Sequence, residues 1–238
     1  MLKMLVFLRA SEGLSRTEFA ARWLAFRVKQ KDTNSVYPLA VRYAFNEVLE
    51  KTTPMSPSTH EWEDNWHGID EFWFDEQEAF ERACQDETYN PLSGGCEWVD
   101  IRSSQVVLAR EAPNAGKGEV DFKCKSFVLI QKLPQLTQAE FYYHWTVIHP
   151  PIWTRVRKST GLPPPPKSVK NYIEEKLNGG TVPLGFDGIA EAWHRDFEEM
   201  GRPFQTREHD LFVLPDSDRF RVKAIDILAI EHLIHGRL

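Results

Sequence analysis

The 238-residue sequence predicts an α+β protein made of two successive copies of one βαββαβ unit. Three observations predict it. Ser15-Arg16-Thr17-Glu18-Phe19 followed by Trp23 returns 122 residues later as Thr137-Gln138-Ala139-Glu140-Phe141 followed by Trp145. Gly68-Ile69-Asp70-Glu71-Phe72-Trp73 returns at an offset of 120 as Gly188-Ile189-Ala190-Glu191-Ala192-Trp193, and Leu108-Ala109-Arg110-Glu111 returns at the same offset as Leu228-Ala229-Ile230-Glu231. Between these anchors, residues 41–49 pair with 169–177 at an offset of 128, so loop lengths differ while the order of elements is kept. Self-similarity in a fixed order is the signature of a repeated structural unit.

Each element follows from local pattern. Residues 3–9 are a short β-rich run, and Gly13-Leu14 turns the chain into a helix opened by a capping box of Ser15 and Glu18. The second copy repeats the device with Thr137 and Glu140, after a strand at 125–131 and a turn at Pro134. Phe19, Trp23 and Phe26 recur at helical spacing, as do Phe141, Trp145 and Ile148, so each helix lays an aromatic stripe on a sheet. Second strands are read at 41–49 and 169–177, and Gly-led third strands at 68–74 and 188–194. The second helix is clear at 75–84 and weaker at 196–200, where Gly201 and Pro203 curtail it. Final strands at 105–111 and 224–232 complete two ferredoxin-like halves, 1–112 and 121–238, joined by a Gly- and Pro-containing linker at 113–120. Pro163 to Pro166 cannot continue a helix and predict a stiff loop shaping the mouth of a pocket.

Composition excludes several function classes. Hydrophobic residues at 42% and charged residues at 27% are those of a globular protein, and 8 Trp with 15 Phe supply aromatic surface for packing or for an apolar ligand cavity. A net charge of -6 with interspersed signs argues against nucleic-acid binding. Three cysteines without metal-ligand spacing fit reduced thiols, and no run approaches the roughly 18 apolar residues of a membrane span, so a cytoplasmic protein is expected. There is no phosphate-binding glycine loop, nucleophile elbow or dinucleotide fingerprint. His232 and His235 lack the carboxylates that would complete a metal site, so no metal is expected; no cofactor is expected either, with haem on a lone His as the open alternative.

Each half resembles the EthD domain, a branch of the dimeric α+β barrel superfamily. The resemblance rests on the strand at 3–9, the Gly-Leu-Ser-x-x-Glu-Phe run at 13–19, Trp23, and the Gly-Ile-x-Glu-x-Trp strands; in the second half it adds residues 136–141 and Trp145 with His149. It implies that the two sheets pair within one chain as an intramolecular dimeric α+β barrel. The superfamily spans polyketide cyclases, lactone isomerases, dehydratases, cofactor-free monooxygenases and haem enzymes, so the resemblance specifies fold better than activity. Its Trp-x-x-x-His is intact as Trp145 and His149, whereas the first copy has Trp23 and Arg27. This implies that the second half carries the site, while Arg27 either serves structure or binds an anion.

His149 lies on the Trp145 face of its helix, and Pro150-Pro151 beyond it reads as the helix C-terminus, where the dipole favours the imidazolium and burial opposes it. An imidazole near neutrality can protonate or deprotonate a carbon acid or a leaving hydroxyl; alternatively, His149 bonds a carbonyl and ends the helix. Glu71 and Glu191 alternate with apolar neighbours on their strands, as a buried base, a ligand anchor or a paired structural carboxylate. His194 points opposite to Glu191 and replaces Phe74 of the first copy. Tyr143 and Tyr172 are candidate hydroxyl donors, and Trp145, Trp153 and Trp193 serve packing first and a pocket wall second. The leading expectation is a cofactor-free lyase or isomerase acting by dehydration, cyclisation or lactone rearrangement. In it His149 is general acid/base with Glu191 or His194 as partner, on an apolar cyclic or polyketide-like compound. The alternatives are a binding or accessory protein for a hydrophobic metabolite and a barrel-type monooxygenase. Whether two such chains associate as a homodimer stays open.

Overall fold

The computed structural model describes residues 1–31, 39–50, 61–62, 66–85, 96–115, 122–179 and 183–236. Its elements run β1 (Leu2–Leu8), α1 (Arg16–Lys31), β2 (Arg42–Val48), β3 (Glu61–Trp62), β4 (Gly68–Phe74), α2 (Gln77–Cys84) and β5 (Gln105–Ala115) in the first half. The second half contributes β6 (Cys124–Lys132), α3 (Gln138–Tyr143), α4 (His149–Thr160), β7 (Lys167–Ile173), β8 (Gly188–His194), α5 (Phe197–Gly201), α6 (Leu214–Ser217) and β9 (Arg221–His235). Eight of the strands close into an antiparallel barrel in the order β2-β4-β1-β5-β7-β8-β6-β9, with β9 returning to β2; β3 pairs only two residues, in parallel, with β9. Closure runs across the halves, because β5 pairs with β7 and β9 with β2, so each half's last strand meets the other half's second.

Alternation along each strand sorts the side chains. Leu5, Phe7, Ile69, Val107, Phe127, Leu129, Ile189 and Ile227 fill the barrel interior. The opposite faces pack under the helices: Met4, Val6, Phe72 and Phe74 against Phe19 and Trp23 of α1, and Ile130 with Val128 against Phe141 and Trp145. Both helices start at the capping boxes read from sequence, Ser15 with Glu18 and Thr137 with Glu140.

The interior is charged as well as apolar. Lys3 and Lys125 are fully buried and ion-paired with Glu71 and Glu191; Lys3 also meets Glu111 and Lys125 meets Glu231. Asn46 and Asn171 donate to Glu71 and Glu191, and the Trp73 and Trp193 indoles donate to Glu111 and Glu231. Every member has its counterpart in the other half. Buried charges persist only when paired and hydrogen-bonded, and this network meets that condition.

The network corrects one alignment. Asn46 and Asn171 hold equivalent places, because each also donates to the carbonyl of Ile69 or Ile189, so the second strands align at an offset of 125 and not 128. An odd slip would turn every side chain to the opposite face, and the chance likeness of Val41 to Val169 concealed this. β5 extends to Ala115, past the expected linker start at residue 113, and the rest of the linker up to residue 120 lies outside the described residues. Among the described residues no helix is long and apolar enough to cross a membrane.

Candidate active site

The helix that carries His149 does not end there. α3 passes into a single π-helical turn, His144–Ile148, and continues as α4 to Thr160, where Gly161 at φ 69° caps it. The prolines explain the π turn. Pro150 and Pro151 have no N–H to give the preceding carbonyls, and in the wider register the His149 N–H reaches His144 O. The π partner of the Trp145 carbonyl would be residue 150, a proline, and Lys170 Nζ of β7 supplies the missing donor at 2.6 Å. His149 is therefore in mid-helix with prolines in the first turn of α4, and the dipole support expected from a helix C-terminus is absent.

His149 is held at both ring nitrogens. Nδ1 lies 2.7 Å from Asp216 Oδ2, and the Trp153 indole donates to Nε2 at 2.9 Å. An indole can only donate, so Nε2 carries the lone pair and Nδ1 carries the proton given to Asp216. The other Asp216 oxygen lies 2.9 Å from His144 Nε2. Burial pulls the His149 imidazole below its ordinary range; Asp216 opposes this, and Arg221 and Lys170 add to it. Burial works to raise the Asp216 carboxyl, but the bonds from His149 and His144 outweigh it and hold the group below the usual carboxylate value.

Asp216 escaped the sequence reading. It sits on α6 after a second π turn, His209–Val213, in a stretch where no apolar period announces a helix. No spacing signal joins it to His149, 67 residues away.

His149 opens on a cavity of about 320 Å³ between α4, the segment carrying Phe204, His209 and Val213, and the outer faces of β6, β7 and β8. Trp145, Trp153, Phe204 and Phe220 form aromatic walls; Ser126, Ser168, Ala190 and Ala192 form the sheet floor; Pro164 and Pro165 stand at its border. His194 also lines it, with Nε2 3.2 Å from Ser126 Oγ, and burial, aided by Arg157, lowers its pKa to about 4. His194 is thus a neutral hydrogen-bonding group at pH 7.

Of the residues singled out in sequence, the structure brings Trp145, His149, Trp153 and His194 into this cavity. Glu191 borders its floor, but its carboxylate belongs to the barrel interior with Lys3 and Lys125, so it is not the partner of His149; Asp216 is. Glu71 and Trp193 are in the same interior network. Tyr143 is exposed on the helix surface, and Tyr172 packs edge-on against Tyr142 and Trp145 beside the cavity. Arg27 does bind an anion, and that anion is the protein's own Asp70.

Residues 133–223, which hold the His149 helix, the cavity strands β7 and β8, and Asp216, match the EthD domain family. No curated protein matches the sequence. Among solved structures, an anthrone oxidase-like protein aligns over 100% of this chain and 94% of its own, with 11% identity and a TM-score of 0.57. Proposed monooxygenases of Lactobacillus acidophilus (6% identity, TM-score 0.56, 100% of this chain and 97% of that one) and Fusobacterium nucleatum (10%, 0.56, 100% and 95%) align likewise. These likenesses show the fold alone, that of the dimeric α+β barrels.

Proposed function

We propose that the EthD half binds an apolar small molecule and that His149, oriented by Asp216, moves a proton at carbon or at a leaving oxygen. The first half, as the other ferredoxin-like copy, is its scaffold. The observation that carries this reading is the His149–Asp216 pair at a walled, mostly apolar cavity. A carboxylate on Nδ1 fixes the tautomer that leaves Nε2 as base and stabilises the imidazolium that forms. Deprotonation beside a carbonyl is the opening step of dehydration, cyclisation and lactone rearrangement, and this chemistry supports reading the protein as a lyase or isomerase.

One contact favours a second reading, a binding or accessory protein. Trp153 covers Nε2, so a substrate must displace its indole before the base can act.

Anthrone, a compound with an acidic C–H, tests both, since an anthrone oxidase-like protein shares the fold. In D2O without oxygen, wild type should speed deuterium uptake at its acidic carbon, and His149→Ala should lose on the order of 10²–10⁴-fold of that rate. Binding without acceleration in either protein supports the accessory reading. With oxygen admitted, formation of anthraquinone and water with one O2 consumed per anthrone would instead mark a monooxygenase.

A further inference from the structure

In the first half the space under the helix is occupied by Asp70, fully buried. Its Oδ1 accepts from the Trp23 indole at 3.0 Å and the Tyr43 hydroxyl at 2.7 Å, and its Oδ2 accepts from Arg27 Nε at 3.1 Å and Nη2 at 2.9 Å. Strand pairing makes Ala190 the equivalent of Asp70, since Val6 faces Asp70 and Val128 faces Ala190. Ser168 likewise replaces Tyr43, for each is one residue beyond the partner of Trp73 or Trp193. The carboxylate is gone from the second half, and Ala190 and Ser168 line the cavity.

The donors remain. Trp145, the counterpart of Trp23, lines the cavity, and its indole N–H makes no hydrogen bond among the described residues. Three cations also line it: Lys170, Arg221 and Arg157. Lys170 bonds a neutral carbonyl, Trp145 O, and Arg157 bonds the Pro163 carbonyl. Among the described residues none of the three makes an ion pair. Of the carboxylates nearby, Asp216 is held by two histidines, Glu191 by two lysines and Glu199 by Arg195, while Asp226 and Asp218 act on Arg221 without forming an ion pair with it. A protein of net charge -6 thus keeps a cationic cavity, and low-dielectric walls concentrate such a field on an anionic ligand.

We propose that the ligand carries an anionic oxygen, which takes in the second half the place that Asp70 fills in the first. The group is a carboxylate or the phenolate or enolate of a ring system, held by Lys170 with the Trp145 indole and Arg221. The proposal rests on the cavity being the small-molecule site argued above, and it adds the charge of the molecule. A carboxylate or phenolate held beside His149 also orients a C–H elsewhere on the ligand that the imidazole would attack, and an enolate is the anion which that proton transfer leaves.

Calorimetry on the full chain at pH 7 with 2-naphthoate and its neutral counterpart 2-naphthamide tests it. Charge-assisted hydrogen bonds predict a preference of about 10-fold or more for the acid. Lys170→Met should collapse that preference toward equality. Ala190→Asp, which restores the internal carboxylate, should abolish it, whereas Ala190→Asn, of the same size, should keep most of it. 4-Nitrophenol separates the two sources of charge: ionisation on binding, read from its absorbance, identifies a phenolate or enolate site, and preference confined to 2-naphthoate identifies a carboxylate site. Equal binding of acid and amide, no binding of either, or a preference that survives both Lys170→Met and Ala190→Asp would overturn the proposal. Acid binding without His149-dependent exchange would overturn the catalytic reading alone; exchange without acid preference would overturn this one alone.

Discussion

The two halves place the same helix on the same sheet and fill the space between them differently. In the first, Met4, Tyr43, Asp70, Phe72, Phe74 and Arg27 are all buried there. Their counterparts are Ser126, Ser168, Ala190, Ala192, His194 and His149, and these surround the cavity. The site therefore owes its volume mainly to shortened side chains on the strand faces, while the strand registers of the two halves stay parallel. The helix adds a π turn, and the His149–Asp216 pair depends on an element, α6, that follows a second one.

The largest effect is expected at Arg27. Arg27→Ala leaves the Asp70 carboxylate buried without its cation, and a loss of about 3–5 kcal/mol is expected in urea unfolding. Arg27→Ala combined with Asp70→Ala should recover much of it, and a double variant no better than the single would contradict the pairing. His149→Ala, at the equivalent position beside a cavity, should cost far less.

His194 offers a pH test. Its folded pKa of about 4 lies below the ordinary 6.5, so the unfolded chain binds the proton more readily. The stability it contributes is complete above pH 6.5 and is lost as pH falls toward 4, amounting to about 3 kcal/mol at most. His149, also held below its ordinary range, adds a loss of the same sign. His194→Phe, the residue of the first half, should flatten part of the decline in urea midpoint between pH 7 and pH 4.5; an unchanged decline would show that the buried ring is not its source.

At the pair itself, Asp216→Asn should slow His149-dependent exchange by on the order of 10²-fold while leaving the fold intact, because the amide no longer stabilises the imidazolium. The rate of the wild type should fall on the acid side, below the ordinary imidazole range, as Nε2 becomes protonated. A rate that is flat through that range would remove His149 as base. Trp153→Phe has the smallest expected effect, a few-fold rise in exchange as Nε2 is uncovered; a fall would recast the indole as part of the binding wall.

Much of the fold was legible in the sequence because its signals are local. Ser15 with Glu18 and Thr137 with Glu140 mark helix starts, and Gly-Ile-x-Glu-x-Trp marks both third strands to the residue. The site was legible only where it lies on those elements, as His149, Trp145 and His194 do. Pro150-Pro151 reads as a stop, and it takes the Lys170 ammonium from another strand to make a helix through them tolerable. Glu191 looked like a partner because alternation reveals that two side chains share a face but not which face meets the ligand. Asp216 was invisible because a lone carboxylate in an aperiodic segment gains its meaning only from tertiary contact.

Closing the barrel within one chain has an evolutionary consequence. Where two identical chains form such a barrel, a substitution made at one sheet face is made at both, and the self-pairing that stabilises one site would close the other. Pairing β5 with β7 and β9 with β2 inside a single polypeptide lifts that symmetry. One face is then free to accumulate large, mutually satisfied side chains while the other is emptied, and the assembly that holds them together does not depend on how dilute the protein becomes.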